Sequence, residues 1–407
     1  MRHGRIAIRV AALAAICCAA GVCQKKSPED EAFALHDWFV YRDLIRAKAA
    51  ATDFERGVVA CMFNDPAACE RYLKSALRSG SQQEQLEAHL ALGGLYFAFG
   101  RSRMALPHYE AADRLLGVQG DGDVATLLRA YVQGPDMFVA ARRAGSVPCD
   151  GQDGHLYVPV TINGVPGIYG LDTGAATSAI GESEAKRVGI PVVSIRPIED
   201  ATYTGHVSLQ KVGVAERLDV GGVQLRNVPF TVYKDAELEG VIPARGGILG
   251  VQVLLACETV RWNVGGALEI GRSSARRGGR NPNLCLDGYS PRLRVDVAGH
   301  SLAFGLDTGS TDSYLSDRFA DLFAEMVQKS GREEKWTVEG VGERDAQFPV
   351  TILPQVDLKL GSASLSMRPA RIVRHREGYG YGLIGLDILA HSRAVTVDFR
   401  TMVLTVE

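Results

Sequence analysis

Two copies of the tripeptide Asp-Thr-Gly lie in this chain of 407 residues, at positions 172–174 and 307–309. Each copy directly follows a glycine and a leucine. Two carboxylates held close together can share one proton, so that one acts as a general base on water and the other as a general acid. Asp172 and Asp307 are therefore candidate catalytic residues for a hydrolysis that needs no metal, cofactor or covalent intermediate.

The interval between the two motifs recurs elsewhere in the chain. Asp172 and Asp307 are 135 residues apart. The same interval separates Gly205 from Gly340, and it separates two Gly residues that follow apolar pairs, at 248–250 and 383–385. We interpret this as an internal duplication of roughly a hundred residues.

The local patterns around the motifs predict which elements position the two aspartates. Residues 155–162 alternate between apolar and polar types, Asn163-Gly164 favours a tight hairpin turn, and 167–171 return toward Asp172. Residues 293–304 repeat this hairpin before Asp307. Short helices are expected after each motif, at 182–188 and 317–323, and strands at 356–360 and 394–399.

These motifs resemble those of retropepsin-like and pepsin-like aspartic peptidases, over approximately residues 155–407. The resemblance rests on Asp-Thr-Gly-Ala/Ser followed by an apolar-apolar-Gly segment, once in each half. It implies two mostly β lobes with the two aspartates on the floor of a cleft between them, and a polypeptide as the substrate. Since one chain carries both halves, we expect a monomer.

The residue types in the motifs suit that chemistry. Glycine allows the backbone to approach a carboxylate closely, and threonine hydroxyls can hydrogen-bond across the pseudo-twofold axis between the lobes. Two carboxylates about 3 Å apart cannot both be ionised, so one keeps a proton well above its reference pKa. The residues expected to support the catalytic loops are Thr173, Gly174, Thr308 and Gly309.

The chain departs from the retropepsin pattern at one ion pair. Retropepsins carry an Asp soon after Asp-Thr-Gly-Ala and an Arg after the later Gly. The corresponding stretches here are 175–177 with 250–252 and 310–312 with 385–387, and neither completes that pair. A covalent link between the lobes lowers the need for it.

Two further segments are candidate flaps that would open and close over the cleft. They lie at 201–207 and 338–343, and the residues assigned to substrate binding are Tyr203, Gly205, Gly340 and Gly342. The alternative is that these glycines serve ordinary turns.

The N-terminal residues 1–23 have a basic start and an apolar run from Val10 to Val22, which is typical of a secretory signal peptide. Cys23 is a candidate for lipidation and membrane anchoring, with plain cleavage near the same point as the alternative. We therefore expect an exported protein of the periplasm or cell envelope.

Residues 24–148 are predicted to be helical. Leu92-Gly93, Tyr96, Ala105, Tyr109 and Ala112 match the spacing of a tetratricopeptide repeat, whose surface could bind a partner protein. A helical hairpin that merely covers the β lobes is the alternative.

Composition narrows the remaining choices. The net charge is −2, which disfavours nucleic acid as the main partner. A run of arginines among Gly and Ser, at 272–280, fits an inter-lobe linker. Export would permit disulfides among Cys61, Cys69, Cys149, Cys257 and Cys285. For Cys149 and Cys285 free thiols are the default expectation, and a bridge that clamps the lobes together is the alternative.

The sequence thus predicts a multidomain protein of an α-helical hairpin region and a bilobal β fold with internal duplication. The expected division is a signal peptide at 1–23, a helical region at 24–148, lobe one at 149–275, a linker at 276–290 and lobe two at 291–407. The favoured function is an aspartic endopeptidase. The alternative is a catalytically silent scaffold of the same fold that binds peptides without cleaving them.

Overall fold

The computed structural model describes residues 27–120, 122–150, 154–201, 206–239, 241–242, 246–263, 266–271, 281–374 and 380–407. Within these ranges helices come first and strands follow. The first helices are α1 (Pro28–Ala34), α2 (Trp38–Ala47), α3 (Asp53–Met62), α4 (Pro66–Ser79), α5 (Gln82–Ala98), α6 (Ser102–Leu115) and α7 (Asp123–Tyr131).

Side-chain caps determine where several of these helices begin. Helices α1, α3 and α5 each start with a capping box, in which a hydroxyl accepts from a backbone N–H and an acidic side chain accepts from the N-cap N–H. The pairs are Ser27 with Asp30, Thr52 with Glu55 and Ser81 with Glu84. In the described part of the chain, no helix is both long and apolar enough to cross a membrane.

Small residues allow α5 and α6 to pack closely. A Cβ added to Gly93 would lie 3.0 Å from the Tyr109 ring, so a larger residue there would force the ring to shift. Ala105 and Ala112 are fully buried in the same contact. The helices therefore pack as the sequence predicts, while the tetratricopeptide assignment itself stays a prediction. A disulfide between Cys61 and Cys69 links α3 to α4.

The strands and the shorter helices follow in chain order. In the first half they are β1 (Phe138–Arg142), β2 (Gly145–Pro148), β3 (Tyr157–Ile162), β4 (Val165–Leu171), β5 (Ser178–Gly181), α8 (Glu182–Arg187), β6 (Val192–Ala201), β7 (His206–Val220), β8 (Val223–Tyr233), α9 (Asp235–Leu238), β9 (Gly246–Leu249), α10 (Val251–Cys257), β10 (Thr259–Asn263) and β11 (Ala267–Ile270). In the second half they are β12 (Leu284–Asp287), β13 (Ser290–Val297), β14 (His300–Leu306), β15 (Tyr314–Leu315), α11 (Asp317–Leu322), α12 (Ala324–Ser330), β16 (Arg332–Gly340), β17 (Glu343–Leu353), β18 (Val356–Leu360), β19 (Ala363–Met367), β20 (Ala370–Val373), β21 (Gly382–Ile384), α13 (Leu386–Leu389), β22 (Ala394–Asp398) and β23 (Val403–Val406).

The strands form one sheet in each lobe and a third sheet between them. Lobe one has the order β1-β8-β5-β9-β4-β3-β7-β6. Lobe two has β16-β17-β20-β15-β21-β14-β13-β18-β19, with β12 paired to β13. The third sheet, β2-β11-β10-β22-β23, draws strands from both lobes.

The predicted hairpins before the two aspartates are confirmed. β3 pairs with β4 and β13 with β14, both antiparallel. Their two-residue turns have positive φ at both positions, 50° and 84° at Asn163 and Gly164, 47° and 87° at Ala298 and Gly299. That backbone matches the twist of the strands, which explains why Asn-Gly signals the first turn.

The sheet between the lobes shows the pseudo-twofold axis directly. β10 pairs antiparallel with β22, and Arg261 lies opposite Thr396, its own counterpart in the duplication. Arg261 also donates to the Thr396 hydroxyl at 3.2 Å. The two halves of the duplication therefore meet at this point, and the axis passes between them.

The helical layer packs on both lobes. In lobe one, the buried Gln252 side chain on α10 donates to the Phe97 carbonyl at 2.7 Å. In lobe two, the buried Asn64 side chain donates to the Phe399 carbonyl at 2.6 Å. A single apolar cluster contains helical residues such as Leu128 together with Ile198 of lobe one. The helices therefore act as a bridge across the lobes.

Two expectations from the sequence need correction, and one alternative is ruled out. Residues 138–142 and 145–148, which we predicted as helical, form strands because they pair with β8 and β11. The end of the expected linker, 284–287, is a strand paired with β13. These short segments gain their structure from partners distant in sequence, which local pattern does not reveal. Cys149 and Cys285 are free and buried in different clusters, so no bridge joins them.

An ionic cluster fixes the helical layer to lobe two. The Asp287 carboxylate accepts from His36 at 2.9 Å and Trp38 at 2.9 Å, and it pairs with Arg292. Burial would raise the pKa of Asp287, but the charge of Arg292 and the hydrogen bonds from His36 and Trp38 hold it well below its ordinary value. A lowered pKa means that the stabilisation is complete above pH about 4 and is lost only as the pH falls toward the lowered value. The cluster therefore persists in mildly acidic solution.

We predict that Asp287→Asn destabilises the protein by about 3–5 kcal/mol, because the Arg292 charge stays buried without its carboxylate. Unfolding in urea measures the change. Glu70→Gln is the matched control, since it removes one carboxylate from an exposed pair with Lys74 and should cost less than about 1 kcal/mol. Equal losses in both variants would contradict this role for Asp287.

Candidate active site between the lobes

The two Asp-Thr-Gly loops start at equivalent points in the lobes. The Asp172 N–H donates to the Leu249 carbonyl at the end of β9, and the Asp307 N–H donates to the Ile384 carbonyl at the end of β21, both at 3.0 Å. β9 and β21 run parallel to the strands that carry the aspartates. The apolar-Gly segments therefore lie directly behind the loops.

Glycine is required at the end of each supporting segment. A Cβ on Gly250 would lie 2.5 Å from the Thr177 carbonyl, and one on Gly385 would lie 2.7 Å from the Asp312 carbonyl. The N–H groups of these glycines donate to Ser178 and Ser313, which are also 135 residues apart. The serines were not singled out from the sequence, although the repeat interval could have identified them.

Thr173 and Thr308 join the two loops by four reciprocal hydrogen bonds. The N–H of each donates to the hydroxyl of the other at 3.0 Å. The Thr173 hydroxyl donates to the Leu306 carbonyl and the Thr308 hydroxyl to the Leu171 carbonyl, both at 2.8 Å. Both threonines are buried. The pattern is symmetric about the same axis that relates Arg261 to Thr396.

Each carboxyl group lies against the backbone of the opposite loop. Within its own loop, Asp172 accepts from the N–H groups of Gly174 and Ala175 at 2.7 and 3.1 Å, and Asp307 accepts from Gly309 at 2.9 Å. A Cβ on Gly174 would lie 2.6 Å from the Asp307 carboxyl, and one on Gly309 would overlap the Asp172 carboxyl. Glycine at both positions therefore lets the aspartates approach each other.

The two carboxyl groups lie close enough for each to affect the pKa of the other. Burial and the charge of Asp172 raise the pKa of Asp307 well above its ordinary value. Burial also raises the pKa of Asp172, but hydrogen bonds from its own loop and from Asp307 oppose that effect. These shifts favour a pair that carries a single proton, which is the state that general acid–base chemistry on water requires.

One of the two candidate flaps is described in full along its backbone. β16 and β17 pair up to Gly340 and Glu343, with Val341 and Gly342 in the turn. Gly342 has φ of 84°, and its N–H donates to the Glu237 carbonyl of lobe one at 2.8 Å. This hairpin therefore reaches from lobe two to lobe one.

For the other candidate flap, the structure describes the two strands but not residues 202–205 between them. β6 pairs with β7 up to Ala201 and His206. Tyr203 and Gly205 lie outside the described residues. Gly342 of the β16–β17 hairpin lies against the Val207 side chain of β7, so the ends of the two hairpins are neighbours. The roles assigned to Tyr203, Gly205, Gly340 and Gly342 in binding substrate stay predictions.

An ion pair beside the second loop was missed from the sequence. Asp312 pairs with Arg371 on β20 at 3.1 Å, and the Arg371 guanidinium lies 5.3 Å from the centre of the Trp336 ring. In the sequence pattern the arginine of this pair would follow Gly385, and no arginine occurs there. Arg371 lies instead on β20, and it reaches Asp312 because β20 pairs with β15, which follows the second loop.

Comparisons with known proteins agree with these features in part. A sequence model of the aspartyl protease family matches residues 158–253, which contain the first motif. No curated protein sequence matches the chain.

The chain is also similar to solved structures, which include the following three. An aspartic proteinase from Irpex lacteus is 14% identical with a TM-score of 0.42, over 65% of this chain and 97% of that one. A retropepsin-like aspartic protease from Rickettsia conorii is 19% identical with a TM-score of 0.25, over 33% and 94%. A structure described as edgp is 10% identical with a TM-score of 0.36, over 64% and 94%.

We predict that Thr173→Val destabilises the protein by about 2–4 kcal/mol, because the Thr308 N–H and the Leu306 carbonyl lose their partner in a buried position. Thr173→Ser is the matched control, since it keeps the hydroxyl and should stay close to wild type. Urea unfolding of both variants provides the measurement. A valine variant as stable as the serine variant would show that the reciprocal bonds do not hold the loops.

Proposed function

We propose that this protein is an aspartic endopeptidase whose dyad is Asp172 and Asp307. The observation that carries the proposal is the close approach of two carboxyl groups with raised pKa, on loops joined by reciprocal threonine bonds. A protein that only binds peptides has no need to bury two acidic groups against each other, because that burial is unfavourable. The match of 158–253 to the aspartyl protease family supports the same chemistry.

The proposed reaction moves two protons in each of two steps and makes no covalent intermediate with the protein. The ionised carboxylate takes a proton from water as the water oxygen attacks the peptide carbonyl. The protonated carboxyl gives its proton to the carbonyl oxygen, which forms a tetrahedral diol. The diol then collapses: one diol hydroxyl returns its proton to the ionised carboxylate, the C–N bond breaks, and the leaving nitrogen takes the proton held by the other carboxyl, so the dyad is again singly protonated.

The substrate in this proposal is an extended polypeptide that lies between the dyad and the two hairpins. Main-chain pairing would give affinity, and side-chain pockets would give specificity. Closure of the hairpins would exclude water from the reacting bond. One chain contains both catalytic loops, so we propose that the protein acts as a monomer.

We further propose that the protein is exported to the periplasm or cell envelope, with Cys23 as a lipid anchor. The Cys61–Cys69 disulfide supports an oxidising compartment. The helical layer is a proposed binding surface for a partner protein. It also contacts both lobes, so a partner there could act on the relative position of the lobes.

We predict that Asp172→Asn and Asp307→Asn each reduce cleavage of a peptide library at least about a thousandfold, since neither variant keeps a dyad that shares one proton. Mass spectrometry of the products provides the measurement. Asp357→Asn, at an exposed position on β18, is the matched control and should cleave normally.

Wild-type activity should also fall on both sides of an optimum. It falls in alkali as Asp307 loses the shared proton, and in strong acid as the remaining carboxylate is protonated. Full activity in either single variant would contradict the shared dyad. Peptide capture without turnover by wild type, unchanged in both variants, would instead identify the binding scaffold.

A further inference from the structure

We propose that His155 is a positioning residue that assigns the two roles in the dyad, with Asp172 as the general base and Asp307 as the general acid. The inference rests on the proposed peptidase function and goes beyond it, because it names a residue outside the two loops that sets which aspartate keeps the proton.

The strand register places His155 next to Asp172. Tyr157 of β3 lies opposite Gly170 of β4, and the ladder continues through a bond from the Leu171 N–H to the Leu156 carbonyl at 2.9 Å. One further step along the antiparallel register brings His155 opposite Asp172. His155 and Asp172 therefore lie one residue beyond the last hydrogen bond of this ladder, where the two segments leave it side by side.

The duplication puts a different residue at the equivalent place in lobe two. Arg292 lies opposite Gly305 in the β13–β14 ladder, and the same register places Ser290 opposite Asp307. His155 and Ser290 are equivalent in the repeat. A group that can carry a positive charge therefore accompanies Asp172, and a neutral hydroxyl accompanies Asp307.

His155 is held at the junction of the lobes with one nitrogen available. Its ring packs against Tyr157, with centroids 5.9 Å apart. A Cβ on the neighbouring Gly154 would lie 3.2 Å from Thr311 of the second catalytic loop. The His155 Nδ1 atom is buried and has no hydrogen-bond partner among the described residues. The ring is thus confined near Asp172, and its Nδ1 atom has no competing partner in the part of the chain that the structure describes.

The charges near His155 favour an effect on Asp172 in particular. Asp150 lies opposite Tyr157 in an isolated bridge, and Asp312 on the second loop is already paired with Arg371. Histidine side chains carry a positive charge in acid solution. Such a charge beside Asp172 stabilises its carboxylate, so the shared proton resides on Asp307. Burial raises the pKa of Asp172, and His155 is among the groups that oppose this rise, in agreement with the register.

The test compares three variants with wild type. His155→Gln removes the charge, His155→Arg keeps a positive charge, and Ser290→Ala changes the equivalent position in lobe two. Two measurements are made on each protein: kcat/KM for a peptide substrate against pH, and the titration of the Asp carboxyl carbons by ¹³C NMR, which does not depend on turnover.

We expect the acid limb of kcat/KM to move to higher pH by roughly one unit in His155→Gln, which is about a tenfold loss on that limb. The lower ionisation of the dyad should move by the same amount in the NMR titration. His155→Arg and Ser290→Ala should both keep the wild-type limb and titration. Recovery by arginine distinguishes a charge effect from a loss of packing.

An unmoved dyad titration in His155→Gln would overturn the inference, whether or not the protein cleaves peptides. An equal shift in His155→Arg would also overturn it, because the charge would then be irrelevant. Failure of the peptidase proposal would look different: wild type would cleave nothing, while the titrations would still show whether His155 acts on Asp172.

Discussion

The reciprocal hydrogen bonds between Thr173 and Thr308 are the constraint on which the rest of this structure depends. They bring two backbone loops together in a buried position, and each loop carries one carboxylate at its edge. Glycines at 174 and 309 then allow each carboxyl group to contact the opposite loop. Burying two acidic groups is unfavourable, and the shared proton and the loop N–H donors offset that cost. The dyad is thus a consequence of how the lobes are joined.

Several layers keep the lobes in this relation. The sheet between them pairs Arg261 with Thr396 on the pseudo-twofold axis. The helical layer contacts both lobes, through Gln252 on one side and the Asp287 cluster on the other. Because that cluster stays charged in mild acid, the bridge persists in the conditions where a proton-sharing dyad is useful. The asymmetry of the site comes from positions such as His155 and Arg371, where the two repeats differ.

Much of the site could be predicted because repeated local signals specify it. The Asp-Thr-Gly motifs, the Asn163-Gly164 turn and the 135-residue interval each point to a defined backbone arrangement. Pairings set by the whole fold could not be read in the same way. Phe138–Arg142 becomes a strand only against β8, and Arg371 meets Asp312 only because β20 lies beside β15. The role of His155 could be inferred only from the strand register, because His155 lies seventeen positions before Asp172 in the sequence.

The central claim is that one chain contains the complete dyad, and a mixing experiment tests it most directly. Asp172→Asn and Asp307→Asn proteins are purified separately, denatured together, refolded as a mixture and assayed for peptide cleavage beside refolded wild type. If each active site is built within one chain, the mixture stays as inactive as either variant alone. Recovery of a substantial fraction of wild-type turnover would contradict the account, because it would require the two aspartates to come from different chains.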